Sequence, residues 1–380
     1  MHDVVVIGAG PAGAAAAATA ARAGLRTALV DKARFPRDKL CGGGFTGRSL
    51  GYFQQIYGAP RPDAPLLTRN EMAFYAFGEH LGTYQDCPPL HLAMRRSLDA
   101  EMFARAVAMG AEDYTGRGMS SLTPAGAVTL TDGTHLRGRI VIGADGVNSP
   151  SARILFGSAF DRSKIGFALE VESEGDPDKL PVRIDFGAAE WGYGWAFPKH
   201  HGVTVGVGGV MHRNADLKSA LNDYIKFTGT QAHGPVKGQF LPFGQARKVP
   251  GMGAVLLAGD AAGLVDPITG EGIAYAMKSG QLAAQAAIRA LSAGTPQSAL
   301  AAYRADLRSI TRAISQARNL RQLMFRPVFR STFIRGFSRS STLRQEYLRL
   351  LAGETEYADI TRAVGRRLPA LLWRTLAHTR

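Results

Sequence analysis

The sequence predicts an α/β protein with an α+β insert: a mainly parallel sheet alternating with helices, an antiparallel sheet set into it, and a helical C-terminal tail. Three observations carry this. An apolar strand runs straight into a glycine turn and an alanine-rich helix at the start of the 380-residue chain. Short, glycine-punctuated strands take over between about 154 and 249. A buried strand followed by a long alanine-rich helix then returns at 254–291, ahead of an arginine-rich end.

The first element is the best defined. Val4, Val5, Val6 and Ile7 form an apolar β-branched run without polar alternation, as suits a strand buried on both faces. Gly8-Ala9-Gly10-Pro11-Ala12-Gly13 follows at once. In such a turn the first glycine allows the bend, the second lets backbone approach a pyrophosphate, and the third lets helix lie close on strand. Residues 14–23 favour helix and Gly24 stops it. A second strand at 27–30 ends in Asp31, 18 residues past Gly13, close to the ~20 expected of a carboxylate that binds a ribose hydroxyl. This is a Rossmann-like dinucleotide unit, and by itself it does not choose between NAD(P) and FAD.

Composition bounds the rest. With 46% hydrophobic residues the chain can build a large core. No run of 18 apolar residues and no leader pattern is present, so a cytoplasmic protein with at most peripheral membrane contact is expected. The net charge of +14 is concentrated: residues 301–380 hold 16 arginines, no lysine and 5 acids. That asymmetry implies an anionic partner such as a membrane surface or a phosphorylated substrate. No nucleic-acid recognition motif accompanies it, so nucleic acid is not expected. Cys41 and Cys87 are expected to remain unpaired, and no metal site is expected.

After Asp31, residues 34–45 contain Lys39-Leu40-Cys41-Gly42-Gly43-Gly44, a stretch suited to lying flat against a ligand, with Cys41 in the pocket. Arg95-Arg96-Ser97-Leu98-Asp99 opens a helix running to Met109. Strands at 128–130 and 139–142 lead into Gly143-Ala144-Asp145-Gly146, an acid and two glycines at a strand's carboxyl end, where open α/β sheets bind ligands. The insert shows strands at 166–172, 182–186, 192–197 and 203–210. Within it, Tyr193, Trp195 and Phe197 share one strand face, and small residues on the other face leave the aromatics as the wall of something large and apolar. The sheet resumes at 254–258 and ends in Gly259-Asp260. A turn containing Pro267, Gly270 and Gly272 then launches a helix from Ile273. The basic amphipathic stretch at 320–335, broken at Pro327, either lies on an anionic membrane or packs on the protein's own core.

These motifs, in this order, resemble the FAD-dependent oxidoreductases of the p-hydroxybenzoate hydroxylase-like fold. Lys39-Leu40-Cys41-Gly42-Gly43 and Tyr193-Gly194-Trp195-Ala196-Phe197-Pro198-Lys199 narrow the resemblance to the geranylgeranyl reductase family over about residues 1–300, with Leu351-Ala352-Gly353-Glu354…Tyr357 as looser support. The resemblance implies an FAD-binding domain at 1–65, 95–160 and 250–295, a substrate-binding sheet at 66–94 and 161–249, and an Arg-rich helical region at 296–380. It implies that Gly8, Gly10 and Gly13 cradle the pyrophosphate and that Asp31 holds the adenosine ribose. Arg95 would lie beside the flavin, and Asp260 would contact its ribityl or pyrophosphate part. Pro267 belongs to the same motif, and Gly270, Gly272 and Ile273 would face the flavin's pyrimidine edge. Asp145 and Gly146 would serve FAD and a transient nicotinamide donor, so that NAD(P)H or another donor reduces the flavin.

The implied reaction reduces isolated C=C bonds of a polyprenyl substrate. Such an alkene has no carbonyl to accept charge, so a proton must add before or with the hydride. Tyr193, Trp195 and Phe197 would stabilise the cationic carbon and exclude water. Cys41, Tyr193 and a bound water all remain open as proton donor. Gly42, Gly43, Phe197 and Lys199 would contact substrate, Lys199 through a phosphate head group. A monooxygenase or halogenase on the same fold is the alternative, though a halogenase needs a pocket lysine and none occurs between Lys39 and Lys164. A flavin-bearing membrane protein without turnover is the third reading.

Overall fold

A computed structural model describes residues 1–365 of the chain. The parallel sheet forms as the apolar strands require. His2–Ile7 lies between Thr27–Asp31 and His135–Gly143, with Glu112–Thr115 beyond the former and Val255–Leu257 beyond the latter. The short antiparallel strands Met119–Leu122 and Ala127–Leu130 deliver the chain into His135–Gly143. Helix Pro11–Arg22 is buried from Pro11 to Ala20 and sandwiched between the sheet and its neighbour helices, which is why it is alanine on every side. Ile273–Ser292 packs across it so closely that a β-carbon at Gly280 would overlap the Ala12 carbonyl.

The second sheet has seven strands in the order Gln231–Leu241, Gly166–Glu174, Gly202–Val210, Tyr193–Lys199, Val182–Phe186, Met72–Ala76 and Glu79–Tyr84. All its pairings are antiparallel except Val182–Phe186 with Met72–Ala76. The segment at 66–94 divides between two sheets: Leu66–Arg69 and Leu90–Ala93 instead form a small sheet with Gly44–Phe45. The small residues opposite the aromatic face have a specific cause. Gly194 faces helix Leu217–Thr228, where a β-carbon would come 2.6 Å from the Tyr224 ring.

The tail folds into helices Ala299–Asp306, Arg308–Phe325, Pro327–Arg339, Ser341–Ala352 and Tyr357–Gly365. The break falls at Pro327, which opens the next helix, where its missing N–H costs nothing. Phe337 packs tilted and Tyr347 edge-on against Phe74 of the second sheet, at 5.4 and 5.7 Å between ring centres, and Phe333 meets Phe186 at 5.6 Å. These apolar faces therefore roof the sheet, while Arg318, Arg326, Arg335 and Arg339 point to solvent. Arg366, Arg367, Arg374 and Arg380 of the basic region lie outside the described residues. Among the described residues no helix is long and apolar enough to cross a membrane. Cys41 and Cys87 are both free thiols.

Candidate active site

The glycine turn is built by collision avoidance. Gly8 has φ +97°, and a β-carbon there would sit 2.9 Å from the Asp145 Cα, so the Gly143–Gly146 loop lies directly on the turn. A β-carbon at Gly13 would overlap the Gly8 carbonyl oxygen. Gly10 is open: among the described residues only Arg37 Nη2 comes within 4 Å of its missing β-carbon, at 3.4 Å. The Asp31 carboxylate accepts from the Ala9 and Ala33 N–H groups, both at 2.8 Å, which pins the turn to the end of the second strand.

Cations gather beside Gly10. Arg95 is buried and pairs bidentately with Asp99 at 2.6 and 2.8 Å, and Arg37 adds a contact to the same carboxylate at 3.1 Å. Arg37 Nη1 is buried without a partner among the described residues. Lys39 stands near Arg95 and Asp260, its ammonium pushed down by burial and by Arg95. Burial pushes the Asp260 carboxyl up, against the pull of Lys39 and Arg95. Three cations thus share two carboxylates, and an anion is the group that would balance them. Asp260 also lines a cavity of about 400 Å³ with Phe160, Gln245 and Arg247. Asp145 accepts from the Ser149 hydroxyl and the Ser151 N–H, at the start of the helix that follows.

The loop ahead of Ile273 is held from the far end of the chain. The buried Asp266 carboxylate accepts from the Ile268 and Thr269 N–H groups at 2.8 and 2.9 Å and from the Tyr357 hydroxyl at 2.7 Å. Glu271 accepts from the Thr46 hydroxyl and lies 3.6 Å from Arg48, which donates to Glu356 at 2.9 Å. Burial pushes the Glu271 carboxyl up to about 7, with Arg48 opposing. Pro267 lies against Gly244, and the helix starting at Ile273 directs its N-terminus at the loop.

On the second sheet, Tyr193, Trp195, Phe197 and Lys199 share a face, with the Tyr193 and Trp195 rings 5.8 Å apart. The Tyr193 hydroxyl occupies the space a side chain at Gly270 would need, joining this face to the loop. Burial pushes the Tyr193 phenol up. Trp195 Nε1 and the Phe197 ring come within 3.0 Å of where a β-carbon on Gly42 would sit. Lys199 is 4% exposed; its Nζ donates to the carbonyls of Gly42 and Ala93 and comes within 2.7 Å of a β-carbon on Gly43. Burial pushes that ammonium down to about 8. The Cys41 N–H donates to Glu170 Oε1 at 3.0 Å, its sulfur accepts from the Gly43 N–H at 3.4 Å, and Arg95 is within hydrogen-bonding reach of it.

The family described as "FAD dependent oxidoreductase" matches residues 3–103. Over 320 residues the chain is 36% identical to the menaquinone reductase of Mycobacterium tuberculosis, covering 74% of this chain and 76% of that protein. Over 315 residues it is 32% identical to the geranylgeranyl diphosphate reductase of Rhodobacter capsulatus, covering 78% and 77%. The chain belongs to the geranylgeranyl reductase family. Its fold is that of a geranylgeranyl bacteriochlorophyll reductase-like protein from Thermoplasma acidophilum, with a TM-score of 0.79 at 23% identity over 96% of this chain and 98% of that one.

As a geranylgeranyl reductase-family enzyme it is an FAD-dependent oxidoreductase, and its residues fit the cofactor. Gly10 is open beside the Arg37 guanidinium, whose Nη2 is nearest and whose Nη1 is unpartnered among the described residues, an arrangement a pyrophosphate would complete. Two groupings emerge from the residues singled out by motif. Gly8, Gly10, Gly13, Asp31, Arg95 and Asp260 surround the turn, while Cys41, Gly42, Gly43, Trp195, Phe197 and Lys199 converge on the neighbouring loop. Tyr193 links the second group to Gly270. Motif reading passed over Arg37, Lys39, Arg48, Glu271 and Tyr357 as site residues, although each except Arg48 lies inside or beside a stretch it quoted. Glu170 carried no signal beyond a charge within a strand pattern.

Proposed function

We propose that this enzyme reduces isolated C=C bonds of a polyprenyl chain carried on a lipid, quinone or diphosphate. One observation carries the reading: the aromatic strand closes onto the flavin loop, with the Tyr193 hydroxyl at Gly270 and Trp195 and Phe197 against Gly42. When bound, FAD supplies the two electrons of the reduction as hydride. Gly8, Gly10, Gly13 and Arg37 would hold its pyrophosphate, Asp31 its ribose and Asp260 its ribityl part. The protein's own task is then to shield the reacting carbons and deliver a proton. The aromatic wall excludes water and favours cationic character at a tertiary carbon. Lys199 supports the Gly42-Gly43 backbone from beneath, and the Cys41 thiol is the proton donor the loop presents. NAD(P)H or another donor recharges the flavin.

The substrate reaches the site from an anionic membrane surface. Leu323, Val328 and Phe329 are 51%, 73% and 36% exposed amid the outward Arg318, Arg326 and Arg335, a mixture of apolar and cationic groups suited to a lipid headgroup layer.

The test is anaerobic turnover of the flavin-loaded protein with a menaquinone and with geranylgeranyl diphosphate, products read by mass spectrometry. A gain of two hydrogens per reduced bond supports the reading. Hydroxylated product under air with no saturated product overturns it in favour of a monooxygenase. Flotation with anionic and neutral vesicles tests the membrane surface.

A further inference from the structure

We infer that Glu170 holds the proton consumed in the reduction and passes it to Cys41; this rests on the alkene-reductase reading and supplies the step it leaves open. Glu170 lies on the strand Gly166–Glu174, opposite Gly206, which in turn lies opposite Trp195. Its side chain therefore projects from the face that carries the aromatic wall. With no side chain at Gly206, the Trp195 indole leans across that position, its Cε2 within 2.6 Å of where a β-carbon would be. Acid and indole become neighbours in one row.

Two polar atoms in this row lack partners among the described residues: Glu170 Oε2 and Trp195 Nε1, both buried. A buried acceptor and a buried donor left unpaired are costly in a wall otherwise built of rings, and such groups are retained where they handle something. The other oxygen, Oε1, receives the Cys41 N–H at 3.0 Å, which fixes the carboxyl against the residue whose thiol faces the loop.

The charged groups facing Glu170 come from three strands: Glu172 on its own strand, Lys237 on one adjoining strand and Lys199 on the aromatic strand, while the loop contributes the Cys41 backbone N–H. Burial dominates among them and pushes the carboxyl up to about 7. The Cys41 N–H, Lys199 and Lys237 pull the other way, and Glu172 adds to the rise. A carboxyl in that range is largely protonated below neutrality and can still give its proton up.

The alkene π pair takes the proton of the Cys41 S–H, forming C–H at the less substituted carbon, and a bound reduced flavin would supply hydride to the tertiary carbon. The thiolate takes the proton from Glu170 Oε2, leaving a carboxylate that Lys199 and Lys237 steady until water returns a proton. The sum is one proton and one hydride added across one C=C bond. Glu170 acts through Cys41 and is a positioning and proton-holding residue, not one that touches substrate.

The experiment uses the flavin-loaded enzyme and its E170Q variant, which keeps an oxygen for the Cys41 N–H but has no proton to give. Infrared spectra of protein labelled with ¹³C-glutamate, taken across pH without substrate, should show in the wild-type-minus-E170Q difference a carboxyl band titrating near pH 7, separate from that of Glu271, which both proteins share. Single-turnover alkene reduction should fall about 100-fold in E170Q. The wild-type rate should decline as pH rises through about 7, and E170Q should lose that limb with flavin content and KM unchanged. E170D should regain part of the rate and the limb, which a merely structural role would not restore. Wild-type turnover with an unchanged limb in E170Q, or a wild-type-minus-E170Q difference with no such band, overturns the inference. If the wild type reduces no polyprenyl substrate, the functional reading fails instead, and the infrared titration still decides whether Glu170 carries the proton.

Discussion

Gly206→Ala tests the aromatic wall without touching an aromatic residue. The added β-carbon would lie 2.6 Å from Trp195 Cε2 and 2.8 Å from the Leu169 carbonyl oxygen. Comfortable carbon contacts begin near ~3.5 Å. The carbonyl belongs to the ladder of strand Gly166–Glu174 and cannot retreat, so the indole, whose Cζ2 would overlap the new carbon, must withdraw by more than ~1 Å to restore contact distance. Overpacking of this kind costs about 1–3 kcal/mol. Because Trp195 Nε1 stands against Gly42, the displaced ring also presses on the Cys41-Gly42 loop. Misplacing a reacting group by ~1 Å lowers turnover by about 100-fold. The assay is kcat for prenyl reduction beside the flavin absorbance of the purified variant. The flavin should be retained, since the glycine turn belongs to the other sheet, while kcat falls; adding Trp195→Phe, a smaller ring, should recover part of the loss. Gly206→Ala with wild-type kcat would refute the reasoning.

Gly13→Ala forces a β-carbon into the Gly8 carbonyl and should yield protein without bound flavin, read from its absorbance. Arg37→Gln removes the unpartnered guanidinium nitrogen beside Gly10; losing a charge-assisted hydrogen bond of about 1.5–3 kcal/mol should weaken FAD binding roughly 10- to 100-fold in a fluorescence titration. Tyr357→Phe takes one donor from the buried Asp266 carboxylate and should cost about 1.5–3 kcal/mol in denaturant unfolding. Glu271 binds its proton more tightly folded, near pH 7, than unfolded, near ~4.3. Its contribution to stability is therefore complete below ~4.3 and lost as pH rises through about 7, and Glu271→Gln should flatten that stretch of the stability profile.

Much of the fold was legible because its strongest signals are local. The run Val4–Val5–Val6–Ile7 and the glycine turn after it define a strand, a bend and a helix within consecutive residues, and the structure places them so. The aromatic strand was likewise readable from its period of two, and it is found at Tyr193–Lys199. Helix Leu217–Thr228 went unread because its neighbourhood is rich in glycine and short strands, and its apolar residues Leu217, Leu221 and Tyr224 make only a narrow stripe. The division of 66–94 between two sheets has no local signature at all, since strand partners are chosen by what lies across from them.

The site shows the same divide within single residues. Lys199 is visible in the Tyr193–Lys199 pattern, yet only the fold reveals that its ammonium lies under the carbonyls of Gly42 and Ala93, residues more than 100 positions away. Arg48 is silent in sequence because its meaning is a three-way tie: Glu271 in the flavin loop, Glu356 and the Thr355 carbonyl in the tail. That tie changes how the basic tail should be understood. Its arginines suggested a region apart from the catalytic body, but Tyr357 holds Asp266 and a β-carbon on Gly47 would overlap the Ala352 carbonyl. Loosening the tail therefore loosens the loop that leads into the helix at Ile273. Outward arginines and an inward Tyr357 belong to one run of helices, so whatever seats those helices also sets the loop.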